Sequence, residues 1–265
     1  MSASRESITT AFGMLSFLRT ENRGHRTALF VHGLGCSADF FAAQSTMLEP
    51  DFAHWLVPDL LGHGASAKPP GLAPYSMEGQ SLALAELLAG QGTREVVLVA
   101  HSLGGPISLR LAERLRAGNA ARVVGLVYAE GNIDANDTFM SARIAAQPWK
   151  AFESVGWPRM LEELAAEPAF STYLSTLVRA GAWTVWASCL SVVKQSCESV
   201  TVPLLEQIAA PKLFLYGSRN QGSFTSEAVA RRLGELRFVP ESGHAMYEDN
   251  PRAFWSLVRE FCSSL

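Results

Sequence analysis

The sequence predicts one α/β domain: an eight-stranded, mostly parallel sheet with helices on both faces, interrupted by a helical insertion. Three observations carry this. Strand-like and helix-like runs alternate up to about residue 130 and again after 211, which demands crossover connections and hence parallel strands. Residues 96–100 and 122–129 are nearly continuous apolar runs of the kind buried on both faces of a sheet. Between about 135 and 205 no strand pattern appears, only aromatic-rich, helix-compatible sequence. Residues 1–134 and 206–265 therefore read as the core, and 135–205 as a helical cap, or lid.

Taken in order, residues 7–11 and 14–19 form a hairpin about Gly13, followed by a strand at 27–31. His32-Gly33-Leu34-Gly35 breaks that strand, and Ser37 or Asp39 offers an N-cap for a helix toward Leu48. Residues 55–58 are the next strand, ending in the turn-rich segment 59–66; residues 78–89 have leucines and alanines at helical spacing. A strand at 96–100 leads into a helix at 103–116, and 122–129 is another buried strand. Inside the insertion, 160–166 and 173–193 suit helices. The core resumes with a strand at 211–216, a helix at 226–234, a strand at 236–240 and a helix at 251–261.

Composition narrows the function. The 265 residues are 48% hydrophobic, and 22 basic against 25 acidic side chains leave a formal charge of −3. That balance has no polybasic footprint, so nucleic acid is not an expected partner. The uncharged stretches 96–109 and 180–193 are shorter than the roughly 20 apolar residues a membrane span needs. The first 17 residues lack a basic region followed by an unbroken apolar run, so no signal peptide is expected. Cys36, Cys189, Cys197 and Cys262 form no CxxC pair, and reduced thiols in the cytoplasm are expected. No glycine-rich nucleotide loop and no metal-ligand cluster is present in the sequence, so catalysis is expected to need no cofactor and no metal.

The strongest chemical signal is Val-Val-Leu-Val-Ala-His-Ser-Leu-Gly-Gly at 96–105. A buried strand runs into a sharp turn with Ser102 at its apex, and a helix follows. Such a nucleophile elbow requires small residues two positions either side of the serine, and Ala100 and Gly104 supply them. An ordinary serine-capped turn would need neither. The serine needs a base, and His25, His32, His54, His63, His101 and His244 are available. His244 sits between the last strand and the last helix, at the carboxyl edge where parallel sheets place their sites. His101 adjoins Ser102 but points elsewhere in a tight elbow and reads as packing.

With these motifs the chain resembles α/β-hydrolases of the esterase and lactonase type over nearly its whole length. The family's serine–acid–histidine order selects His244 as base, the only histidine after Ser102. By the same resemblance, His32-Gly33-Leu34-Gly35 is the oxyanion loop, and the Leu34 and Leu103 amides hold the oxyanion. The segment Asp59-Leu60-Leu61-Gly62-His63-Gly64-Ala65-Ser66 matches an architectural turn of the family, so Asp59 and His63 are read as structural.

The acid departs from the common pattern. Where family members carry Gly-x-x-Asp after the seventh strand, this chain has Gly217-Ser218-Arg219-Asn220. An amide cannot balance an imidazolium. Glu130, ending the strand 122–129, is the favoured acid, an arrangement similar to that of haloalkane dehalogenases and zearalenone-type lactonases. Asp134 is the competitor and Asp137 a weaker one. On this reading Glu130→Gln slows turnover greatly while Asn220→Ala stays nearly normal.

The resemblance implies hydrolysis of a small-molecule carboxylic ester or lactone through an acyl-enzyme. A carbon–carbon hydrolase of a vinylogous diketone, with Arg143 meeting a substrate carboxylate, and a ligand-binding receptor of the same fold are the alternatives. Serine at the elbow argues against dehalogenase or epoxide-hydrolase chemistry, which needs a carboxylate nucleophile. The insertion's aromatic residues imply an apolar pocket, with Trp183 and Trp186, three apart, as candidate substrate contacts. Monomer and homodimer both stay open.

Overall fold

Eight strands build one sheet in the order β1-β2-β4-β3-β5-β6-β7-β8 in the computed structural model, which describes residues 3–20, 26–42, 54–118 and 120–265. They are β1 (Ala3–Thr10), β2 (Gly13–Thr20), β3 (Thr27–Val31), β4 (His54–Pro58), β5 (Glu95–His101), β6 (Arg122–Ala129), β7 (Lys212–Gly217) and β8 (Glu235–Val239). Pairings β1–β2 and β2–β4 are antiparallel, and all others are parallel. The mostly parallel α/β-hydrolase sheet expected from the sequence is the one found. β1 begins earlier than its apolar pattern suggests because its first half is a polar edge, with Arg5 bonded to the buried Asp59 at 2.7 Å.

Side chains of the central strands alternate between two cores, as a period of two requires. Leu29 and Val31 of β3, with Val96, Leu98 and Ala100 of β5, face one core, covered by α2 (Met77–Gly90) and α3 (Gly104–Ala117). Ala28, Phe30, Val97 and Val99 face the other, where Phe254, Trp255 and Val258 of the last helix pack. The short α1 (Asp39–Ala42) starts the helix expected after the first glycine turn; residues 43–48 of that helix lie outside the described residues.

Between β6 and β7 the described chain is helical: α4 (Phe139–Ala145), α5 (Trp149–Ala151), α6 (Trp157–Ala165), α7 (Ser171–Ala180), α8 (Ala182–Cys197) and α9 (Thr201–Gln207). The single helix expected over 173–193 is broken at Gly181, whose φ of +85° only glycine adopts cheaply; the two helical parts meet at 94°. Phe152, Leu177, Val185, Cys189 and Val192 join the same core cluster as β3 and β5, so this segment is packed onto the sheet's core. After β7 come α10 (Glu227–Leu233), α11 (Met246–Asp249) and α12 (Pro251–Ser263). Among the described residues no single helix is long and apolar enough to cross a membrane.

Candidate active site

Sharp exits from adjoining strands assemble the site. After β5 the chain reverses at Ser102, whose φ of +53° lies in the left-handed region that costs a non-glycine residue energy. Its neighbours are small for steric reasons. A Cβ on Gly104 would collide with the Val31 carbonyl oxygen, and one on Gly33 would sit 3.1 Å from the Ser102 Cβ. The Ser102 amide donates to the Ala129 carbonyl at 3.0 Å, fastening the elbow to the end of β6. Leu103 stands at the N-terminus of α3, where backbone N–H groups lack intrahelical partners.

β6 leaves the sheet through a second left-handed residue, Glu130, at φ +39°. Its amide still donates to the Leu215 carbonyl of β7 at 2.9 Å, so the bend begins only after the last sheet bond. The Glu130 side chain is 2% exposed and its oxygens are filled by donors. Oε1 accepts from the Gly217 amide at 2.8 Å and from Asn220 Nδ2 at 2.9 Å. Oε2 accepts from the same nitrogen at 3.1 Å and from His244 Nδ1 at 2.7 Å. A carboxylate only accepts, so Nδ1 carries the proton and Nε2 is left able to take one.

His244 rides on the loop between β8 and α11, which is held at several points. The Arg219 amide donates to the Ser242 carbonyl at 2.9 Å, Ser242 Oγ donates to the Val239 carbonyl, and the Gly243 amide donates to Asp249. His101 completes the set. Its Nε2–H donates to the His244 carbonyl at 2.8 Å, and the two rings lie 4.7 Å apart. Burial, then the neighbouring His244, holds the His101 imidazole well below its ordinary pKa, so it is neutral. The sequence reading of His101 as packing missed this bond.

The other two acidic candidates are spent elsewhere. Asp134 accepts from the Asn136 amide at 2.9 Å and from Thr225 Oγ1 at 2.8 Å, capping the turn after β6. Asp137 accepts from the Ile133 and Asp134 amides and from Ser226. Glu130 is the carboxylate that meets His244.

Ser102, Glu130 and His244 line one cavity of about 160 Å³, together with Leu34 and Leu103. Phe139, Met140, Val192 and Phe224 supply apolar walls, and Asn132, Asp137 and Ser141 polar ones. Neither Arg143 nor any other Arg or Lys is among the lining residues. The loop carrying Leu34 is braced by two buried histidines. His32 Nδ1 bonds the Gly33 carbonyl and its Nε2 accepts from the Leu60 amide at 3.1 Å. His63 Nδ1 bonds the Leu61 carbonyl while Nε2 accepts from the Gly35 amide at 3.1 Å. Burial first, and His32 second, push the His63 pKa down to about 3. Asp59 accepts from the Ala38 and Ala65 amides and is architectural, as its turn motif implies.

Trp183 and Trp186 require a correction. They do not line this cavity. Their rings pack on one another at 5.5 Å and on Trp149 at 4.8 and 5.5 Å, and their indole N–H groups donate to the Gly71 and Gln147 carbonyls. Helical spacing put them on one face, and that face is used for packing. Phe139 and Met140, at the start of α4, are with Val192 the insertion's apolar contribution to the cavity walls, and Asp137 and Ser141 its polar one.

Comparison with known proteins agrees with this architecture. A family model described as "Alpha/beta hydrolase family" matches residues 28–257. The chain is 29% identical over 249 residues to the sn-1-specific diacylglycerol lipase ABHD11 of Mus musculus, covering 88% of this chain and 80% of that one. A thermophilic esterase from Thermogutta terrifontis superposes with a TM-score of 0.76 at 24% identity, covering 99% of each chain. The N-acyl homoserine lactonase AidH gives a TM-score of 0.74 at 19% identity, over 99% of this chain and 97% of that one. At such identities the two structures speak to the fold alone. With the family model running from β3 through the elbow and the His244 loop into the last helix, the chain belongs to the alpha/beta hydrolase family.

Proposed function

We propose that the protein is a cofactor-free serine hydrolase of small, uncharged carboxylic esters or lactones. The observation that carries this is the 2.7 Å bond from His244 Nδ1 to the buried Glu130 carboxylate, in the cavity that also holds Ser102. On this reading Ser102 Oγ attacks the carbonyl while His244 Nε2 takes its proton. The Leu34 and Leu103 amides stabilise the tetrahedral oxyanion, Glu130 balances the imidazolium, and His244 then returns the proton to the leaving alkoxide. Water, activated by the same imidazole, releases the acid.

Size and charge favour a compact neutral substrate. A cavity of about 160 Å³ is close to the ~150 Å³ of an apolar cavity that accepts one benzene ring. Its walls are mostly apolar, its carboxylates are Glu130 and Asp137, and no Arg or Lys lines it, so an anionic substrate would meet no fixed cation there. That weighs against the diketone hydrolase, whose carboxylate was to meet Arg143. Ordinary metabolism in the cytoplasm, with its thiols reduced, suits the four free cysteines.

A panel of p-nitrophenyl esters from acetate to decanoate, with aryl lactones, tests the proposal on wild type and Ser102→Ala. A fluorophosphonate label followed by mass spectrometry accompanies it. The expected result is a label on Ser102 and turnover that peaks at short or single-ring acyl groups. Labelling without turnover on the panel would move the assignment to carbon–carbon hydrolysis. Absence of both would favour a binding protein.

A further inference from the structure

We infer that Asn220 is a positioning residue: its side-chain amide holds the Glu130 carboxylate in the plane that presents Oε2 to His244. This rests on the reading of Glu130 as the acid. One nitrogen, Asn220 Nδ2, lies 2.9 Å from Oε1 and 3.1 Å from Oε2, so it bridges both oxygens. With the Gly217 amide on Oε1 at 2.8 Å, the carboxylate is fixed at three contacts before His244 is counted. The fixing is needed because Glu130 starts from a strained backbone and its long side chain has rotamers to lose.

Charge makes the same demand. The Glu130 side chain is 2% exposed, and among the described residues its ion-pair partner is His244 alone. Arg219, next to Asn220 in sequence, is exposed and lies 3.9 Å from Asp249. Neutral donors, the Gly217 amide and Asn220 Nδ2, therefore satisfy the buried carboxylate oxygens. The turn does not use this side chain to fold. Its backbone is closed by the Ser223 amide donating to the Asn220 carbonyl at 2.9 Å, and Asn220 itself is only half-buried. The position where relatives of the common pattern place the acid has thus become a donor to an acid that stands one strand away.

Asn220→Asp and Asn220→Ala separate this role from space filling. The aspartate variant is isosteric but sets a second carboxylate against Glu130, and such a pair shares a proton. The alanine variant only removes the donor. On the best ester of the panel, Asn220→Ala is expected to lower kcat about 10-fold, the scale of one hydrogen bond to a charged group, and not to stay nearly normal as the sequence alone suggests, because its amide bonds Glu130. Asn220→Asp is expected to lose more, about 100-fold near pH 7, with KM changed little and with an acidic limb displaced to higher pH relative to wild type. Fluorophosphonate labelling of Ser102 should slow in the same order, and thermal midpoints should stay close to wild type.

An Asn220→Asp enzyme as fast as or faster than Asn220→Ala, with an unmoved pH profile, would overturn the inference and leave Asn220 a filler. Glu130→Gln, run alongside, keeps the two failures apart. If Glu130→Gln retains wild-type kcat, the acid assignment itself has failed. If Glu130→Gln is inactive and Asn220→Asp is not impaired, only the role of Asn220 falls. Should either Asn220 variant unfold, the downfield proton resonance of His244 Nδ1 in the folded alanine or serine variant reports the same bond. A shift from the wild-type position is expected, and an unchanged resonance would contradict it.

Discussion

The turns that leave β6 and β7 are neighbours in the sheet, yet they reach the same carboxylate from opposite chemical sides. β6 ends in a strained left-handed residue whose side chain is the carboxylate itself. β7 ends in a short turn, Ser218–Asn220, whose asparagine donates to that carboxylate. On the proposed mechanism His244 needs one negative charge against Nδ1, and Glu130 supplies it from the end of β6. Two charges there would repel, so an acid on one strand leaves a donor as the useful residue on the other. Placing the acid on β6 carries a cost in backbone strain, which the regular exit of β7 does not show.

Shortening the acid breaks the comparison most directly. Glu130→Asp keeps the charge but withdraws it by one methylene from a bond that is now 2.7 Å. Misplacement on the scale of 1 Å costs about 10²-fold, so kcat should fall by that order with ester KM little changed. Steady-state kinetics on the preferred ester checks this.

His101 sharpens the comparison from the other side of the imidazole. It holds the His244 backbone, where Glu130 holds its ring. His101→Phe keeps a ring against His244 and Tyr247 while removing the donor. The expected loss in kcat is about 5-fold, the worth of one neutral hydrogen bond. A fall as deep as that of Glu130→Asp would show that the loop, not the acid, is the weaker support.

The third effect is on stability rather than on rate. His63 is neutral when folded, with its pKa pushed down to about 3 from an ordinary 6.5. Between those values the unfolded chain binds a proton that the folded chain does not, so stability drops as pH falls from about 6.5 toward 3. The fall is at most about 1.4 kcal/mol per pH unit for such a group. His32 and His101, lowered in the same direction, add to it. Thermal midpoints measured from about pH 8 to pH 4 should decline in that window, and His63→Gln should flatten the decline.

Much of this was legible in the residues because backbone sterics leave few options. Small residues at Ala100 and Gly104 are what a turn at Ser102 requires, and the continuous apolar runs of β5 and β6 are what two-sided burial requires. Asn220 in place of an aspartate after β7 leaves Glu130, at the end of β6, as the nearest carboxylate in the pattern. Other features depend on residues far apart in the chain, and no local pattern announces them. Asn220 meets Glu130 across 90 positions and His101 meets His244 across 143. The helical spacing of Trp183 and Trp186 indicates a shared face without saying what covers it, and a third tryptophan, Trp149, does. The break at Gly181 was hidden because helix-compatible sequence continues on both sides of it.

On the proposed mechanism the acid stands on β6 and is supported from β7, and comparing kcat for Glu130→Gln and Asn220→Ala on one ester tests this directly. The expected result is a loss of about 10³ to 10⁴ for Glu130→Gln, the scale set by neutralising the acid of a serine protease, against about 10-fold for Asn220→Ala. Equal losses, or a collapse confined to Asn220→Ala, would contradict it.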